Sequence, residues 1–417
     1  MAQWMAVTFL GTSSGGGIIL LFRIDLRNAA ADEISIRHVK WWIVGKELSA
    51  SLLCSPAVPT SGQQLCLLLH ACPHRTRQQK IDIYGPAGLR ALLRTTLSLT
   101  STRTADPYAV HELLLPTDAR TPCAPADVLH SSEVPGLDFV CDADGFWRNI
   151  TMGQSRRGTV HVQAGPIVHR EPCIGYVFHE PAISFSPRKI AILGDTSSAS
   201  AMTPLIASTP GRVSLLVHEA TDAYIPPNVD AHLAAKRTVD VVKQKTEERG
   251  HSTPVEAGRC AGMWAAERLV LNHIGARFPA PSHGASISKK HHIAVLREME
   301  RQATEAWLQT PCTLPSHVSS TSATSEEDRE DRCKATAAHD FMTVEIPSAS
   351  RANEFRYTSD REKGAGEIRG QNQMGRGNGA VNHGGIGNAK RGRWVSEGNG
   401  LESVVGFGAL VKRRRGA

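Results

Sequence analysis

The chain has 417 residues, 41% of them hydrophobic and 21% charged, and a net charge of +7. That apolar share argues against a fully disordered chain and is enough for one large core with appendages. The longest apolar run, around Ile18–Phe22, is far short of the ~20 residues that cross a bilayer, and no basic-then-apolar leader opens the chain. Nine Cys without a CxxC pair disfavour a zinc ribbon or a disulfide framework and suit reduced thiols inside a cell.

The first ordered piece is Val7–Thr12, a β-rich run that opens onto Ser13–Gly17. Such a Gly/Ser loop brings backbone close to a ligand, often a phosphate, or is a plain turn. Ser35–Gln79 then mixes Trp41, Trp42, Cys54, Cys66, Cys72 and Pro/Ser patches with no steady period. Lys80–Tyr84 reads as a strand stopped by Gly85-Pro86. Gly88–Leu99 follows helical spacing, with Leu89, Leu92, Leu93 and Leu97 on one stripe.

Gly175–Phe178 and Lys189–Leu193 read as strands, the second ending at Gly194-Asp195-Thr196. Val213–Val217 is an apolar strand that ends at His218-Glu219-Ala220-Thr221. Val255–Arg268 reads as an amphipathic helix, and Leu269–Asn272 as a strand ending at His273. A strand, a polar residue at its C-terminal end, then a helix: the repeat predicts a layered α/β body with its chemistry along one sheet edge. The polar residues there are Asp195, His218, Glu219, His251 and His273, with His169 upstream. Asp and His are the usual oxygen and nitrogen ligands of zinc. A single His at a strand end is more often a hydrogen-bonded core residue; five such positions point to a site.

Pro315–Asp331 is rich in Ser, Thr and Glu and reads as a surface loop. Phe341–Ile346 has strand spacing and is stopped by Pro347. Residues 351–417 hold 13 Lys+Arg, 6 Asp+Glu and 15 of the 36 Gly, so they carry the whole net charge, while residues 1–350 sum to zero. Such a tail cannot bury enough surface to offset chain entropy and is expected to be disordered. Its Arg residues and the closing Lys412–Arg415 suit RNA contact or a nuclear address; a solvated tail without a partner is the alternative. The domain reading is 1–350 as one body, with 18–80 aberrant and 315–331 a loop, followed by the tail.

Taken in order, Phe9-Leu10-Gly11-Thr12, Tyr84–Leu89, Arg103–Asp106, Gly194-Asp195-Thr196, His218–Thr221, Gly250–Thr253 and Leu271–Phe278 resemble the short form of ribonuclease Z, a tRNA 3′-processing endonuclease of the metallo-β-lactamase superfamily. The Gly15–Gly17 loop resembles fungal members. The resemblance covers roughly half the chain. It implies an αβ/βα sandwich holding two zinc ions and hydrolysis of the 3′ trailer from precursor tRNA. It implies His169, Asp195 and His273 as metal ligands, with Asp195 bridging, and Glu219 and His251 as the pair that orients and protonates the leaving oxygen. His218, Ser252 and Thr253, beside them in the same motifs, are expected to face substrate. A homodimer and a nuclear, mitochondrial or cytoplasmic location are also implied.

The family's central His-x-His-x-Asp-His signature is absent. Between residues 18 and 80 the histidines are His38, His70 and His74, and none has a His two residues away. The sandwich is therefore expected to be incomplete or disturbed over 18–80, and the chain to hold fewer than two zinc ions. The segment reads either as a misread coding sequence or as a true loss of one metal site. The second case suits a catalytically inactive RNA- or partner-binding homologue.

Overall fold

The computed structural model describes residues 3–9, 22–28, 39–42, 80–104, 106–155, 158–181, 187–278, 287–315, 333–339 and 342–346. All lie within the unit Met1–Glu362. The Gly15–Gly17 loop, most of 18–80, nearly all of the 315–331 loop and the tail lie outside the described residues.

Three sheets form. Strand β1 (Gln3–Phe9) is the centre of a three-stranded antiparallel sheet, between β2 (Phe22–Asn28) and the last strand, β14 (Thr343–Ile346). Strands β3 (Val39–Trp42), β4 (Ile81–Pro86), β5 (Tyr108–Leu114) and β6 (Asp138–Val140) make a four-stranded parallel sheet, in that order. Helix α1 (Leu89–Leu99) packs on β5 and buries Leu89, Leu93 and Leu97 of the stripe read from the sequence, while Leu92 is half-buried.

The largest sheet has seven strands: β7 (Trp147–Ser155), β8 (Gly158–Ile167), β9 (Cys173–His179), β10 (Arg188–Leu193), β11 (Arg212–Glu219), β12 (Leu269–Asn272) and β13 (Ala335–Ala337), each beside the next. Pairing is antiparallel from β7 to β10 and parallel from β10 to β13.

The strand period of two sorts this sheet's side chains onto two cores. Val177, Ala191, Leu193, Leu216, Leu269 and Leu271 pack among the helices. Tyr176, Phe178, Ile190, Ile192, Leu215, Val217 and Val270 face the other way, onto Val7, Tyr84, Leu113, Val344 and Ile346 of the other two sheets. Both faces are covered, which is why these strands read as continuous apolar runs.

Helices α2 (Thr203–Ser208), α5 (Pro254–Met263) and α6 (Ile287–Gln309) cover the helix side; α3 (Ala231–Ala234) and α4 (Val239–Glu248) lie between β11 and α5 in the chain. Gly258 lets α5 meet α6 closely, since a Cβ there would sit 2.1 Å from the Ala303 carbonyl oxygen. The expected α/β sandwich is thus present: helices, mixed sheet, then the two smaller sheets with α1.

The structure departs from the sequence reading at several places. The helix expected over Val255–Arg268 ends at Met263, because Ala265 takes φ 47° and the Ala266 amide closes back onto the Ala261 carbonyl, freeing the chain to enter β12. The β7–β8 hairpin and strand β5 went unread. So did α6, whose Val295, Met299, Ala303 and Trp307 stripe lies among Arg, Glu and Lys.

Candidate metal centre

The parallel order of β10, β11 and β12 lines up their C-terminal ends, so Asp195, Glu219 and His273 fall along one sheet edge. Strand β8 runs the same way and delivers His169 two residues after its end. Hydrogen bonds between Val168 and Ser197–Ser198 tie the His169 loop to the Asp195 loop. The fifth group, His251, comes from the turn that ends α4. Gly250 takes φ +81° there, and the His251 amide bonds the Thr246 carbonyl, so the chain reverses and enters α5.

One ligand atom each from His169, Asp195 and His251 lies within 4.8 Å of the others. The His273 Nε2 is 3.4 Å from Asp195 Oδ2, and the His273 ring stacks on His251 with centroids 5.3 Å apart. His273 adopts φ +51°, a left-handed conformation that L residues rarely take and that clusters at functional sites. His169 Nδ1 donates to the Gly250 carbonyl at 2.7 Å. His251 Nδ1 donates to Glu219 Oε1 at 3.0 Å. These two bonds set both tautomers, leaving the lone pair on Nε2.

Glu219 is saturated by donors. Its Oε1 also accepts the Thr196 amide at 2.6 Å, and its Oε2 accepts the Thr221 hydroxyl. Burial pushes this carboxyl up, but the hydrogen bond and charge of His251, the charge of His273 and the Thr221 bond outweigh it. The group is held below the usual carboxylate range. Asp195 shifts the other way. Burial pushes it up and the Glu219 charge adds to that, against the pull of His273, His251 and His169. Burial also pushes the nearby Cys173 thiol well up, helped by Asp195, so it stays a thiol and not a thiolate ligand.

All three expected metal ligands, His169, Asp195 and His273, stand at this edge, as does the Glu219–His251 pair. The geometry draws His251 closest to His169 and Asp195, while His273 reaches Asp195 at 3.4 Å and stacks on His251. His218 lies one residue before Glu219 on β11, so by alternation it points to the helix side. It is buried, its Nδ1 donates to the Glu219 carbonyl at 2.8 Å, and burial holds its pKa down. Ser252 is buried and donates to the Thr196 carbonyl at 2.5 Å; Thr253 is a buried residue at the N-cap of α5. One contributor went unread: Thr196, through its amide to Glu219; Asn272 is the cross-strand partner of Glu219. Asn272 is 1% exposed, and neither of its amide atoms has a hydrogen-bond partner, nor does the buried Nδ1 of His273.

No family model matches the chain. Individual proteins do. Zinc phosphodiesterase ELAC protein 1 of Bos taurus is 24% identical over 335 residues, covering 68% of this chain and 79% of its own. Ribonuclease Z of Bacillus velezensis is 28% identical over 228 residues, 49% of this chain and 63% of its own. Ribonuclease BN of Cronobacter sakazakii is 29% identical over 309 residues, 66% and 91%. The chain is related to ribonuclease Z. Among solved structures, human tRNase Z, short form, aligns with a TM-score of 0.43 at 22% identity, over 82% of this chain and 100% of that one.

The side chains fit a zinc ion of the kind the relatives' names state. Imidazole nitrogens and one carboxylate are borderline ligands suited to zinc. The His169 ring carries the outer hydrogen bond, to a backbone carbonyl, that ligating histidines have. No helix among the described residues is long and apolar enough to cross a membrane.

Proposed function

We propose that this ribonuclease Z relative is a zinc-dependent phosphodiesterase that removes the 3′ trailer from precursor tRNA. The observation that carries the reading is the Glu219–His251 pair, at 3.0 Å, facing the Asp195 and His169 ligand atoms across one sheet edge. His169, Asp195 and His273 would hold zinc. When bound, the ion supplies Lewis acidity at the phosphoryl oxygen and a water of lowered pKa.

The chain's own groups do the rest. Glu219 stays ionised, so it supports a positive charge on His251 and fixes its Nδ1 proton. His251 Nε2 then gives its proton to the departing 3′ oxygen. Water adds to phosphorus as that P–O bond breaks, which leaves a 3′-hydroxyl on the tRNA and a 5′-phosphate on the trailer. The Thr196 amide and the Thr221 hydroxyl keep Glu219 from turning away. A homodimer acting inside the cell belongs to the same reading.

A second reading is a homologue that binds tRNA without cutting it, favoured by the missing His-x-His-x-Asp-His segment. One experiment separates them. Purified full-length chain is loaded with zinc and given precursor tRNA with a labelled trailer. Release of the trailer with a 5′-phosphate supports the hydrolase. A gel-shifted but intact tRNA supports the binder and rejects the hydrolase.

A further inference from the structure

We infer that this chain binds a single divalent metal ion, with Asp195 as a terminal ligand and not a bridge between two ions. The inference deepens the zinc-site reading above and rests on it.

Two hydrolytic metals about 3.5–4 Å apart need roughly three protein ligands each beyond any bridging group. Among the described residues one cluster of three or more His, Cys, Asp and Glu side chains gathers with ligand spacing: His169, Asp195 and His251. His273 joins it through Asp195, at 3.4 Å, and by stacking on His251. Glu219, the other carboxylate at this edge, is committed: both of its oxygens accept hydrogen bonds, from Thr196, His251 and Thr221. With His251 kept as the proton donor, the donors left are the His169 and His273 imidazoles and the Asp195 carboxylate, three protein ligands that with one water make one tetrahedral ion.

The sequence before residue 80 does not offer a second compact set. Its histidines are His38, His70 and His74, the nearest two being four residues apart. Asp195 then has one ion to neutralise.

The test is a count. Full-length chain is saturated with Co2+ or Zn2+, passed through a desalting column, and its metal measured by mass spectrometry. The Co2+ form is also measured by electron paramagnetic resonance. The expected result is one equivalent per chain and the signal of an isolated ion. His169→Ala and Asp195→Asn each drop the content at least tenfold, with circular dichroism unchanged. Two equivalents, or spin-coupled cobalt, overturn the single-ion inference and leave the zinc-site reading standing. No retained metal at all overturns both. The count in the unmutated chain decides the matter even where a variant fails to fold.

Discussion

His169 and Gly250 lie 81 residues apart, yet the His169 Nδ1 donates to the Gly250 carbonyl at 2.7 Å. Gly250 is the left-handed residue that ends α4, and a Cβ placed on it would stand 2.6 Å from that same Nδ1 and 2.8 Å from the Arg170 amide. One glycine thus orients a metal ligand through its carbonyl and leaves room for that ligand through its missing side chain. Gly250→Ala should cost about 1–2 kcal/mol of backbone strain. It should also weaken metal binding by roughly 10–100-fold, because the ring loses its outer partner. Denaturant unfolding reads the first effect and competitive Zn2+ titration the second. Unchanged metal affinity in a folded variant would show that the contact does not orient His169.

Glu219 tests a different link. Its carboxylate sets the His251 tautomer through the 3.0 Å bond. Glu219→Gln keeps the shape but presents either a weaker acceptor or an NH2 that opposes the imidazole proton. We expect the fold to persist and phosphodiester cleavage to fall by about 10²–10⁴, the range of a lost proton-transfer partner. Circular dichroism and single-turnover cleavage measured on the same preparation give the two readouts. Wild-type turnover in this variant would remove Glu219 from the mechanism.

Asp195, Glu219 and His273 were legible because each follows a run of buried apolar residues in a parallel strand, and topology collects such strand ends at one edge. Strand β5 was not. Its His111 and Glu112 break the apolar pattern, and what makes them tolerable is distant in sequence: Asp82 lies 3.1 Å from the His111 Nε2, and Arg90 lies 3.1 Å from Glu112. A pattern read along the chain cannot see a polar residue satisfied from another strand or helix. Likewise, that Asn272 faces Glu219 across β11 and β12 is a register that only the sheet reveals. The charged face of α6 hid a stripe that was there to be counted.

The Arg90–Glu112 pair carries a stability prediction. Arg90 is 0% exposed; its guanidinium reaches Glu112 at 3.1 Å, Asp138 at 2.8 Å and the carbonyls of Val110 and Thr121. Its backbone amide bonds Glu112 as well, at 2.9 Å. Removing Glu112 leaves a buried cation with less compensation, so Glu112→Ala should destabilise by about 3–5 kcal/mol. Replacing both partners by apolar residues, Arg90→Met with Glu112→Leu, should recover much of that loss, since it removes the buried charge itself. Guanidinium unfolding of the three chains decides it. A double variant less stable than Glu112→Ala would mean that the carbonyl contacts of Arg90, not its charge pairing, hold α1 to β5.

Lys189 gives a pH dependence. It is 0% exposed at the start of β10, its Nζ donates to the Ile206 carbonyl at 2.7 Å, and burial lowers its pKa from 10.5 to about 8. A base whose folded pKa is depressed binds fewer protons in the native state than in the unfolded one at pH values between the two constants. The burden on stability is therefore full below about pH 8 and is relieved as pH rises toward 10.5. Its size is on the order of 3 kcal/mol for a shift of that extent. Lys189→Met removes the charge and keeps most of the volume. The stability difference between variant and wild type should favour the variant at pH 7 and shrink steadily up to pH 10. Taking the difference cancels the other groups that titrate in that range. A difference that stays flat across it would place the Lys189 ammonium in water, contrary to its position under α2.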